Sequence, residues 1–129
     1  MFPAETKFLI VDDTRTMRKI IIKVLQELEF KNVEEANDGR TALPKLKAAS
    51  EAGKPFNFVI SDWNMPDMSG FDLLEACRSD PGLKNVLFML VTAEGEQANF
   101  TMAIQAGVTD YIIKPFTTVK FKAKLERIY

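Results

Sequence analysis

Apolar positions along the chain alternate between two rhythms. Phe8-Leu9-Ile10-Val11 is an unbroken apolar run that stops at Asp12, the pattern of a strand buried on both faces. Thr14 is placed to cap the helix that follows, where Met17, Ile21, Val24, Leu25 and Leu28 recur at helical spacing. Asn32 to Ala36 predicts a short second strand, and Asp38-Gly39 opens a second helix carrying Ala42, Leu43 and Leu46. Phe58-Val59-Ile60 predicts a third strand stopping at Ser61-Asp62, then a loop through Met65-Pro66-Asp67-Met68 and a third helix capped by Ser69. Asp80-Pro81-Gly82 is a turn. Val86 to Val91 is the most apolar strand and ends at Thr92. A fourth helix runs through Phe100, Ala103 and Ile104 and stops near Gly107. Asp110 to Ile113 predicts the fifth strand, which Pro115 breaks before a last helix bearing Phe121, Leu125 and Ile128.

These are five strand–helix units in 129 residues, with no repeat, linker or low-complexity segment. One domain with no separate output domain is the expected organisation. Strict alternation with apolar strands predicts an α/β fold, an open parallel sheet covered by helices on both faces. In such sheets ligands bind beyond the carboxyl ends of the strands. The residues standing there are Asp12 and Asp13 after the first strand, Asp62 after the third, Thr92 after the fourth and Lys114 after the fifth.

Three carboxylates in one crevice repel unless a proton or a cation neutralises them. Oxygen donors without His or Cys suit a hard cation, and Mg²⁺ tolerates a partly hydrated site. A lysine and a hydroxyl opposite the carboxylates suit a bound or developing oxyanion. The set therefore points to one carboxylate accepting a phosphoryl group, a reaction that needs alignment and charge neutralisation and no general base.

Composition narrows the chemistry further. The chain has no histidine, which excludes Ser-His-Asp and Cys-His sites, histidine-bound zinc and an internal phosphohistidine. Cys77 is the single cysteine; it reads as a packed thiol in a reducing cytoplasm. A formal net charge of −1 gives no reason to expect nucleic-acid or membrane binding. No basic-then-apolar leader follows Met1.

Val11-Asp12-Asp13, Ser61-Asp62-Trp63-Asn64-Met65-Pro66, Ser69-Gly70, Thr92-Ala93-Glu94 and Tyr111-Ile112-Ile113-Lys114-Pro115-Phe116 together resemble the receiver domains of two-component response regulators, especially the free-standing chemotaxis type. The resemblance covers nearly the whole chain. It implies a flavodoxin-like, doubly wound sheet of strand order 2-1-3-4-5 with five helices. It also implies a signalling switch, not an enzyme, whose only chemistry is self-catalysed phosphotransfer and dephosphorylation. Asp62 would be the phospho-acceptor. Asp13 and Asp62 would ligate Mg²⁺ with the Asn64 main-chain carbonyl, and Asp12 would act through water. Lys114 and Thr92 would hold the phosphoryl group, Thr92 and Tyr111 would form the switch, and Asn64 and Glu94 would modulate dephosphorylation. The Lys114-Pro115 bond is often cis in the family. Implied partners of a monomeric cytoplasmic protein are a histidine kinase, the flagellar motor switch and a phosphatase.

Several residues have plainer readings. Trp63 is expected beside the acceptor, half-exposed and able to report metal binding by fluorescence. Met65, Met68 and Met102 are expected to pack, and Lys120, Lys122, Lys124 and Arg127 to form a solvated basic face on the last helix, with partner binding as a second use. Pro44 should kink or shorten the second helix, and Ala48 to Pro55 reads as a longer loop than its counterparts. Glu96 and Gln97 replace lysines of the enteric chemotaxis protein, which bears on partner choice. Three other functions fit less well: a phosphate shuttle or sink in another pathway, an Asp-nucleophile phosphatase, for which adjacent Asp12-Asp13 is the wrong spacing, and a flavin carrier, which lacks a hydroxyl-rich loop after the first strand.

Overall fold

A computed structural model describes residues 2–93 and 98–129, apart from the side chains of Ala98 and Asn99. Glu94, Glu96 and Gln97 lie outside the described residues. The strands are β1 (Phe8–Val11), β2 (Val33–Ala36), β3 (Phe58–Asp62), β4 (Leu87–Ala93) and β5 (Asp110–Lys114). The helices are α1 (Arg15–Glu27), α2 (Gly39–Glu51), α3 (Gly70–Ser79), α4 (Ala98–Gln105) and α5 (Thr118–Ile128). All strand pairs are parallel, in the order β2-β1-β3-β4-β5. The expected topology and element sequence are those observed.

Period-two alternation sends the strand side chains to two cores. Leu9, Val11, Val59, Phe88 and Leu90 face α2, α3 and α4, packing with Ala42, Leu46, Leu73, Leu74 and Ala103. Phe8, Ile10, Phe58, Ile60, Met89, Val91 and Ile112 face α1 and α5, packing with Ile21, Leu25, Phe121 and Leu125. Burial on both faces of β1, β3 and β4 is why these strands read as continuous apolar runs. Cys77 is fully buried at the first of these cores, and burial pushes its thiol up to about 11, so it stays protonated.

Helix ends follow local chemistry. Asp38 accepts from the Thr41 amide, and Ser69 and Asp72 form a reciprocal capping box. Gly107 takes φ +91° after α4, a left-handed C-cap that favours glycine. Thr14 is the N-cap of α1, but its side chain makes no capping bond. Its hydroxyl instead donates to Asp12 Oδ1 at 2.8 Å, and this bond turns the side chain toward Asp12 and away from the helix amides.

Of the kink or shortening expected from Pro44, the shortening is absent: the helix runs unbroken to Glu51. The expected Ala48–Pro55 loop is accordingly helical through Glu51, and only the residues beyond it connect to β3. Ala42 and Leu46 are buried on either side of Pro44 and hold the helix to the sheet. The price is local, since the Arg40 carbonyl loses its amide donor. Pro44→Ala should stabilise the fold by up to about 3 kcal/mol, read as a higher urea midpoint at unchanged m-value. A lower midpoint would show that the ring itself contributes packing.

Candidate functional site

Strand register assembles the site. Val11 pairs with Ser61, so Asp12 emerges beside Asp62 at adjacent strand ends. Asp62 pairs with Val91, Thr92 follows on β4, and Ala93 pairs with Lys114. Carboxylate oxygens of Asp12, Asp13 and Asp62 come within 4.8 Å of one another, a cluster able to hold a metal ion. Asp12 is 1% exposed and Asp62 7% exposed, whereas Asp13 faces solvent. Lys114 reaches across from β5 to place Nζ 3.2 Å from Asp62 Oδ1. Thr92 is buried at the same edge.

The electrostatics of the cluster are unbalanced. Burial pushes the Asp62 carboxyl above its usual range, and the neighbouring Asp12 charge pushes it further, against the opposing pull of Lys114. Asp12 Oδ1 accepts from both the amide and the hydroxyl of Thr14 at 2.8 Å. Asp12 Oδ2 is buried and, among the described residues, without a hydrogen-bond partner. An orphaned buried carboxylate oxygen is costly unless a cation faces it. An oxygen-only donor set with one such atom fits a hard divalent ion of the Mg²⁺ kind.

The other expected site residues divide. Asn64 is exposed two residues beyond Asp62. Tyr111 is half-buried on β5 and stacks on Phe100 with ring centroids 4.0 Å apart. The Lys114-Pro115 bond is cis. Trp63 is not half-exposed as expected but 8% exposed, stacked on Phe71, because its main chain continues the β3–β4 ladder through Val91 and turns it into the core. Met65 and Met68 pack, but Met102 is 46% exposed on α4. The basic face of α5 is not wholly solvated either: Lys124 lies 3.2 Å from Asp110 and over the Tyr111 ring.

Two features of the site escape a reading of the sequence. Gly70 lies so close to Asp62 that a β-carbon would overlap the Asp62 carbonyl oxygen. Arg18, one turn into α1, donates to the Asp12 main-chain carbonyl at 2.7 Å. The capping motif Ser69-Gly70 hints at the first; only the fold reveals the second.

A parallel sheet with acidic groups at its carboxyl edge and a facing lysine defines a receiver-type signalling domain. The chain matches the response regulator receiver domain family over residues 8–126 and belongs to it. It is 48% identical over 123 residues to the Vibrio cholerae chemotaxis protein CheY-3, covering 95% of this chain and 91% of that protein. The Pseudomonas aeruginosa chemotaxis protein CheY is likewise 48% identical, with 95% of both chains covered. The crystal structure of Vibrio cholerae chemotaxis protein CheY4 at low pH superposes with a TM-score of 0.85 at 32% identity, over 97% of this chain and 99% of that one. Among the described residues no helix is long and apolar enough to cross a membrane.

Proposed function

We propose that the protein is a phosphorylation-activated response regulator of a chemotaxis-type two-component pathway, working in the cytoplasm as a monomeric single receiver domain. The observation that carries this reading is the convergence of Asp12, Asp13 and Asp62 opposite the Lys114 ammonium. Two relatives at 48% identity are named as chemotaxis proteins.

In this reading Asp62 takes a phosphoryl group from a histidine kinase on another chain. An Asp62 carboxylate oxygen attacks phosphorus and forms the acyl-phosphate bond. The phosphorus–nitrogen bond of the donor breaks, and its electron pair leaves with the imidazole. Asp13 and Asp62, with the Asn64 main-chain carbonyl, would hold Mg²⁺, and Asp12 would support it through water. The bound ion supplies positive charge that offsets the carboxylates and the incoming phosphoryl oxygens. Lys114 fixes one phosphoryl oxygen and Thr92 donates a hydrogen bond to another. No general base is needed, because a carboxylate attacks without giving up a proton.

Phosphorylation adds roughly −1.5 to −2 charges at this edge. Thr92 moves toward the group, and Tyr111 leaves its stack on Phe100 to follow. That exchange reshapes the surface of α4, β5 and α5, which binds the flagellar motor switch. Asn64 and Glu94 tune how long the phosphate lasts, and a phosphatase can shorten it.

Acetyl phosphate with Mg²⁺ should add one phosphoryl group in intact-mass spectra, and Asp62→Asn should show none. An unmodified wild type, or an adduct that survives in Asp62→Asn, would overturn the assignment. Pull-down of a flagellar switch protein should depend on an acyl-phosphate mimic. Phosphate-independent capture, or none, would favour a shuttle or sink in another pathway.

A further inference from the structure

Arg18 sits outside the acidic trio, yet its side chain turns back onto the end of β1. One terminal nitrogen donates to the Asp12 carbonyl at 2.7 Å, while Nε donates to Glu35 Oε1 at 3.0 Å. Glu35 stands on the edge strand β2, in register with Ile10, and its other oxygen accepts from Lys19 at 3.0 Å. The Arg18 side chain is only 13% exposed, so this is not a solvent-averaged surface pair.

The Asp12 carbonyl belongs to the peptide plane that joins Asp12 to Asp13. The preceding plane is already held, since the Asp12 amide donates to the Ala36 carbonyl at 3.2 Å. With the carbonyl also held, both planes that flank the Asp12 α-carbon are anchored, which sets the direction of the Asp12 side chain and the place from which Asp13 starts. Guanidinium geometry suits this: one planar group bonds a carbonyl and a carboxylate at once, whereas an ammonium is a point donor with no fixed fork. Outer partners of this kind orient metal-binding groups, and losing one typically weakens metal affinity about 10- to 100-fold.

We propose that Arg18, itself oriented by Glu35, is a positioning residue that aims Asp12 and Asp13 at the divalent ion. This rests on the reading of the acidic cluster as a Mg²⁺ site. Titration calorimetry with Mg²⁺ should give Arg18→Met a Kd about tenfold or more above wild type. Arg18→Lys should fall between the two, and Glu35→Gln should weaken binding about threefold, in keeping with a partner one step further out. Lys19→Ala removes the same unit of charge from Glu35 without touching Asp12, and should leave Kd within about twofold. With acetyl phosphate, Arg18→Met should raise the Mg²⁺ concentration for half-maximal phosphorylation while the rate at saturating Mg²⁺ is largely kept. A purely structural role would not produce that split.

Equal Kd values for wild type and Arg18→Met would overturn the proposal. So would an equal loss in Lys19→Ala, which would reduce the effect to net charge. Should Arg18→Met not fold, Arg18→Lys and Glu35→Gln decide by the same Kd comparison. Failure of the underlying site reading looks different: the wild type itself would bind no Mg²⁺.

Discussion

In EDTA at pH 7, Asp62→Asn is expected to melt at a higher temperature than wild type. Asp62 gives up hydration inside the fold and lies beside Asp12, and these two effects together outweigh the attraction of Lys114. Its carboxyl is therefore raised above the usual range, and ionisation works against folding. Asparagine keeps the shape and removes the charge. The lost ion pair costs little, because the Lys114 side chain remains 29% exposed and can hydrate. The direction with pH follows. Below about 3.9, the usual Asp value, Asp62 is protonated in both folded and unfolded chains and costs nothing. As pH rises from there through the higher folded value, the unfolded chain ionises first and wild-type stability falls. The gap between variant and wild type should open over that window and then level. Magnesium should reverse the ranking. At about 100 times its Kd a ligand of the folded state contributes about 2.7 kcal/mol, or roughly 10 °C for a domain of this size. Wild type should gain that and Asp62→Asn should gain little. A variant less stable than wild type in EDTA, or a gap that ignores pH, would show that Lys114 outweighs burial.

The same imbalance explains how much of the site the sequence makes legible. Strand-end residues are readable because a parallel sheet converts a position in the chain into a place in space. Once β1, β3 and β5 are recognised, Asp12, Asp62 and Lys114 must share an edge, and register places Asp12 beside Asp62. What escapes the sequence depends on side-chain direction and competition. Trp63 looks like a rim residue from its position after Asp62, but the ladder runs one residue further and buries it. Thr14 looks like a helix cap, but Asp12 offers its hydroxyl a charged acceptor. Pro44 is expected to kink or shorten the second helix, but the helix runs on to Glu51 with Ala42 and Leu46 buried on either side of the proline. Lys124 looks like one of a row of solvated cations, but Asp110 on β5 lies 3.2 Å from its ammonium. For Trp63 and Lys124 a contact distant in sequence decides, for Pro44 tertiary burial overrides a local preference of about 3 kcal/mol, and for Thr14 a neighbour two residues back replaces a cap worth about 1 kcal/mol.

Gly70→Ala tests the tightest of these contacts, and its expected sign is opposite to helix propensity. Gly70 is the first residue of α3, where alanine should gain up to about 1 kcal/mol. Nothing about its backbone demands glycine, since its φ is not in the left-handed region. The demand is for space. A β-carbon there would overlap the Asp62 carbonyl oxygen and lie 2.9 Å from Leu90 Cδ2, while the Gly70 amide donates to the Trp63 carbonyl at 2.8 Å. Leu90 could shift, but the Asp62 carbonyl is main chain at the end of a central strand and cannot rotate away. Either α3 moves outward and strains its bond to Trp63, or the end of β3 moves and carries the acceptor with it. Overpacking against rigid backbone costs about 3 kcal/mol or more, roughly 10 °C in Tm. A displacement of about 1 Å at a reacting group costs on the order of a hundredfold in rate, so phosphorylation by acetyl phosphate should slow about ten- to a hundredfold even where the variant is fully folded. Gly39→Ala is the control for crowding away from the acceptor strand, because its β-carbon would meet Met68, at 2.8 Å from Cγ and 3.0 Å from Cβ, and no atom of Asp62. It should cost about 1–3 kcal/mol and leave the rate near wild type. Equal losses of rate in the two variants would mean that crowding in general, not the seat of α3 on the acceptor strand, sets the position of Asp62.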